Sequence, residues 1–94
     1  MSTNRAINVA SPASQTLAAL KKGDTATVVG LASVDGAEQL AIQTRLFELG
    51  FVPGEKVRVV AESFPRRDPI AVRIGNTTFA LRRHEATLIQ IDRS

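Results

Sequence analysis

The run Arg45-Leu46-Phe47-Glu48-Leu49-Gly50-Phe51-Val52-Pro53-Gly54 constrains the fold of this chain more than any other, because it turns a helix into a strand within a few residues. Gly50 is free to take the left-handed conformation that ties off the last carbonyls of a helix. Phe51, just past it, is placed to fold back as the apolar contact of that cap. The helix is therefore expected to stop at Leu49. Pro53 sets one turn dihedral and Gly54 supplies a permissive one. From Lys56-Val57-Arg58-Val59 onward the pattern alternates every second residue, as a strand does.

The chain before this hinge divides in two. Residues 1–15 are rich in Ser, Thr, Ala and Asn with little apolar periodicity, which predicts a flexible N-terminal tail ahead of a domain spanning 16–94. Leu17 and Leu20 are spaced to form one apolar turn that pins the entry to that domain. Thr25 to Leu31 is rich in β-branched residues, with Ala26 and Val28 on one face, and reads as a first strand in which Gly30 marks a bulge. Asp35 is placed to cap a helix, with Glu38 completing an approximate capping box. That helix is expected over about 37–49.

At about 100° per residue, Ile42, Leu46 and Leu49 form one stripe of this helix, while Leu40 and Phe47 fall on nearly the opposite side with Ala37 and Thr44. A small sheet can bury only one of these faces. The other is either covered by the N-terminal arm or offered to a partner. Arg45 lies beside the first stripe, where its stem can pack and its head can tie down a loop.

After the hinge, a second strand runs from Lys56 to about Ser63. Phe64-Pro65-Arg66-Arg67-Asp68-Pro69, with prolines bracketing the charges, is a loop. Ile70, Val72 and Ile74 alternate with Ala71 and Arg73, Gly75-Asn76 makes a two-residue turn, and Thr77 to Leu81 returns. This hairpin sets Ile74 opposite Thr77, Val72 opposite Phe79 and Ile70 opposite Leu81. Arg82 to Ala86 reads as a short helical turn and Thr87 to Ile91 as a final strand. Five short strands and one helix cannot cover both faces of a flat sheet, so the expected fold is mainly β, a small five-stranded barrel with the helix inserted after the first strand.

Composition narrows the function. With no cysteine, disulfides and thiolate metal sites are excluded. No apolar run approaches the ~20 residues that cross a bilayer, so no membrane span is expected. Twelve Lys plus Arg against nine Asp plus Glu leave a net charge of +3, spread along the chain, and four phenylalanines are the only aromatics. That is not the concentrated basic, aromatic surface of a nucleic-acid reader, and none is expected.

A single histidine, His84, rules out a two-histidine metal site, and there is no G-x-x-x-x-G-K-[ST] loop to cradle a nucleotide. His84 and Glu85 offer at most one weak Fe(II) contact without a third ligand, so no metal or cofactor ligand set is assigned. No catalytic constellation is present, and the chain is expected not to be an enzyme. What remains is contact surface. Leu40 and Phe47 on the helix, Phe64, Arg66 and Arg67 in the loop, and Arg82 and Arg83 after the hairpin are the candidate partner-binding residues, the arginines being suited to forked contacts with carboxylates.

Four motifs then carry a resemblance: Leu20-x-x-Gly23; Arg45-Leu46-x-Glu48-Leu49-Gly50-Phe51-x-Pro53-Gly54-x-x-Val57; Asp68-Pro69-Ile70-x-Val72; and Phe79-Ala80-Leu81-Arg82-Arg83-x-Glu85-Ala86. In this order, across about Leu17 to Ile91, they resemble the FeoA family, ferrous iron transport protein A. The resemblance implies an SH3-like β-barrel and a small cytoplasmic accessory protein of Fe(II) uptake. Its implied partner is FeoB, a membrane permease with a cytosolic GTP-binding domain, to which any GTP hydrolysis would belong. Self-association is left open. The same fold occurs with a weaker pattern in the C-terminal domain of DtxR-type metal-dependent repressors, so the alternative is an SH3-like regulatory domain acting with such a transcription factor. The missing DNA-binding half favours the transport protein.

Overall fold

The computed structural model describes residues 15–93. Leu17–Ala19 form a 3-10 turn, followed by β1 (Thr25–Leu31), α1 (Ala37–Leu49), β2 (Lys56–Glu62), β3 (Ile70–Ile74), β4 (Thr77–Leu81), a single helical turn α2 (Arg83–Ala86) and β5 (Ile89–Arg93). The expected tail lies outside the described residues except at Gln15. There the chain already joins the sheet: the Ile91 amide donates to the Gln15 carbonyl at 3.0 Å, and Thr16 bridges to Gln90.

The five strands form one antiparallel sheet in the order β4-β3-β2-β1-β5. The ladder does not close between β4 and β5, so the expected barrel is a curled open sheet whose two edge strands are linked by α2. Register shifts at Val28/Gly30 and Val59/Ala61 bend it, since an extra residue on one strand increases local twist. The first is the bulge expected at Gly30. The hairpin pairs Ile74 with Thr77, Val72 with Phe79 and Ile70 with Leu81, the predicted register.

Alternation puts Ala26, Val28, Val57, Val59, Val72 and Ile91 on the concave face, each at most 2% exposed. Leu17 and Leu20 close one side of this core, and Leu46 and Phe51 bring α1 onto it. The Phe51 ring lies 6.0 Å from that of Phe79 at a tilt of 54°, within the range in which aromatic pairs attract. No buried polar or charged side chain is found among the described residues. The core is apolar packing alone.

Two local expectations are corrected. Gly36, not Asp35, occupies the N-cap of α1, with φ 91° and no side-chain cap hydrogen bond. The positive φ turns the chain so that Asp35 stands one residue outside the helix. At the other end of the fold, β5 begins at Ile89 rather than Thr87. The Thr87 hydroxyl donates to the His84 carbonyl at 2.6 Å and the Leu88 amide to the Glu85 carbonyl at 3.1 Å, which prolongs the α2 turn by two residues.

Candidate partner-binding surface

Helix α1 ends as its sequence requires. Gly50 sits at φ 113°, its amide reaching the carbonyls of Leu46 and Phe47, and the Phe51 amide donates to Leu46 at 3.1 Å. This double closure of the last turn is the Schellman arrangement, with Phe51 buried as its apolar contact. Leu46 is fully buried, and Ile42 and Leu49 pack against the core from the same stripe. Two further ties hold the helix: the Gln43 side-chain amide donates to the Ala32 carbonyl at 2.7 Å, and Arg45 pairs with Glu85 on α2. Arg45 thus ties down the segment after the hairpin.

The opposite side of α1 is open. Leu40 is 53% and Phe47 58% exposed, and Ala37 and Thr44 beside them are exposed as well. Leu40, Thr44 and Phe47 follow one another at i, i+4 and i+7, a stripe about 10 Å long at the helical rise with an apolar side chain at each end.

The loop between β2 and β3 is a second projection. The Ser63 amide donates to the Pro69 carbonyl at 3.1 Å and the Arg67 amide to the Ser63 carbonyl at 2.6 Å, closing the loop at its base. Arg67 adopts φ 58°, and Phe64, next to the base, is 96% exposed. Arg66, Arg67 and Arg82 are exposed. Arg83 differs: its Nη1 donates to the Ala18 carbonyl at 2.7 Å, its Nη2 to the Arg67 carbonyl at 3.4 Å, and its amide to Asp68 Oδ1 at 2.8 Å. It straps the loop to the 3-10 turn, so its guanidinium is turned inward. α2 therefore joins both projections, through Arg83 to the loop and through Glu85 to the helix.

Among the described residues no three of His, Cys, Asp or Glu gather into a metal-binding group. The Glu85 carboxylate next to His84 is already taken by Arg45 and by the Arg82 amide at 2.8 Å. No helix among the described residues is long and apolar enough to cross a membrane.

One surface escaped the sequence reading. Arg58 on β2 lies directly opposite Arg73 on β3, on the convex face of the sheet. The alternation of both strands marked each arginine as outward. Only the β2–β3 register, which the long loop between them conceals, brings the two together.

Comparison with known proteins agrees with this geometry. A family model described as the FeoA domain matches residues 15–93. A Porphyromonas gingivalis protein, an Fe(2+) transport protein A/Fe(2+) transporter FeoB fusion, is 36% identical over 76 residues, which cover 81% of this chain and 8% of that protein's length. The crystal structure of Stenotrophomonas maltophilia FeoA complexed with zinc, an SH3-domain protein, is 40% identical with a TM-score of 0.73 over 83% of this chain and 89% of that one. A manganese-dependent transcriptional repressor bound to manganese superposes with a TM-score of 0.72 at 23% identity, over 85% of this chain and 36% of that chain. This last likeness is one of fold alone. A mainly β, SH3-like sheet with one inserted helix, matched by the family model over nearly its whole length, makes this chain a member of the FeoA domain family, which is linked to ferrous iron transport.

Proposed function

We propose that the chain is a cytoplasmic, non-enzymatic accessory protein of Fe(II) uptake that docks on the cytosolic GTP-binding part of an FeoB-type permease. The observation behind this reading is the open stripe of Leu40 and Phe47 on a helix whose other face is committed to the core. An exposed apolar patch of this kind is a natural contact surface. Phe64, Arg66, Arg67 and Arg82 add an exposed aromatic ring and cationic groups for a polar rim, while Arg83 holds the loop in place. The fusion in Porphyromonas gingivalis supports the choice of partner. Joining two proteins in one chain keeps them at high effective concentration, which is useful when they work together.

The test is a binding titration of the purified cytosolic domain of the permease against wild type and the Leu40→Glu and Phe47→Glu variants, each with its thermal midpoint recorded. Loss of about tenfold or more in affinity with an unchanged fold supports the helix face, since burying an introduced carboxylate in an apolar contact is strongly unfavourable. Wild-type affinity in both folded variants excludes that face.

A further inference from the structure

The convex side of the sheet carries a transverse row in which Thr25 on β1 faces Arg58 on β2, Arg58 faces Arg73 on β3, and Arg73 faces Thr78 on β4. All four side chains are exposed. Residues directly opposite each other in an antiparallel pair hold their Cβ atoms about 4.5–5.5 Å apart, and like charges there repel. The fold itself gains nothing from this pairing. The ion pairs among the described residues are Arg45–Glu85 and Arg93–Asp24, and neither involves the row. Arg73 uses its Nε on the Gly75 carbonyl at 3.2 Å, which steadies the guanidinium and leaves its Nη groups for another acceptor.

Two shallow grooves, of about 330 and 430 Å³, are lined by this arginine pair. The first adds Lys22 and the half-buried Val60, and the second adds Lys56 and Thr25. Cationic forks over partly apolar walls are the chemistry that recognises carboxylates.

We propose that this row binds a short acidic segment of a partner protein. Four strands at about 4.8 Å spacing span about 14 Å, the length of about four extended residues, so a run of that length laid across the strands can offer carboxylates to both arginines. Arg58 and Arg73, with Lys22 in one groove and Lys56 in the other, form one short cationic cluster, which a narrow chain of carboxylates can match.

The site is independent of the Leu40 and Phe47 face, and one experiment separates the two. The full chain, labelled with nitrogen-15, is titrated with a capped hexaglutamate peptide at low salt, and amide shifts are followed. The expected result is saturable shifts at Thr25, Arg58, Arg73 and Thr78 that fade as salt is raised. The doubly substituted Arg58→Gln/Arg73→Gln variant binds at least about tenfold more weakly, as the loss of charge-assisted hydrogen bonds requires. Its thermal midpoint stays close to that of wild type, because relief of the repulsion offsets loss of the Arg73–Gly75 hydrogen bond, while the charge-neutral Leu40→Gln and Phe47→Gln leave peptide binding unchanged. Shifts scattered over every Lys and Arg without saturation overturn the proposal, as do shifts centred on the Phe64–Pro69 loop or wild-type affinity in the double variant. Sedimentation with phosphatidylglycerol vesicles that needs both arginines, without saturable peptide binding, overturns it in favour of a lipid surface.

Discussion

At its C-terminal end α1 stops on a left-handed Gly50, returns two amides to its own last carbonyls, and sinks Leu46 and Phe51 to 0% exposure. At its N-terminal end it starts on Gly36 without a side-chain cap, and Ala37 to Ala41 are all exposed. The first end is held by tertiary burial. The second relies on intrinsic propensity, since Ala, Glu, Gln and Leu are good helix formers, and on Glu38 near the positive end of the helix dipole. Burial is thus concentrated toward one end of this thirteen-residue helix, while the exposed stripe runs along it from Leu40 to Phe47. The face that fixes the fold is not the face open to a partner.

The sharpest way to break this contrast is Leu46→Ala, which removes the one fully buried side chain of α1. It should destabilise the domain by about 2–5 kcal/mol, the usual range for such a truncation in a core, and chemical denaturation measures it. Gly50→Ala should follow at about 1–2 kcal/mol, the strain of a left-handed backbone carrying a Cβ. Space is not the issue, because nothing lies within 4 Å of where that Cβ would stand. Ala41→Gly, on the exposed end, should cost about 0.5–1 kcal/mol through lost helix propensity alone. Hydrogen exchange should find the amides of Ala41 to Arg45 opening before those of Gly50 and Phe51.

Much of this contrast was legible in the residues themselves. The Gly50-Phe51 stop, the two-faced helix and the Gly75-Asn76 hairpin each depend on neighbours within a few positions, so spacing alone carries them. The Asp35 cap failed because Gly36 can take a positive φ that no side-chain pattern announces. The role of Arg83 was hidden for another reason: its acceptors on Ala18 and Arg67 lie 65 and 16 positions away. An arginine adjacent to another in sequence looks like a solvated pair until the fold brings distant carbonyls to it. Arg58 and Arg73 were concealed in the same way, since strands joined by a long loop have no register that the loop's composition fixes. Local chemistry could be read, and chemistry made by long-range pairing could not.

The smallest expected effects come from placing the same charge at the two ends of the open stripe. Phe47→Glu adds a carboxylate beside Glu48 in the last turn, where the helix dipole is negative, and should lower stability by up to about 0.5–1 kcal/mol. Leu40→Glu adds one four residues into the helix, nearer its positive end, and should change stability by no more than about 0.5 kcal/mol, with the stabilising direction favoured. Both side chains are more than half exposed, so little burial is lost in either case. Urea denaturation with equal slopes for the two variants would read this ordering directly. A drop of about 2 kcal/mol or more in Leu40→Glu would instead mean that Leu40 is packed in the native protein. In that event the stripe is part of the fold, and the asymmetry between the two ends of α1 disappears.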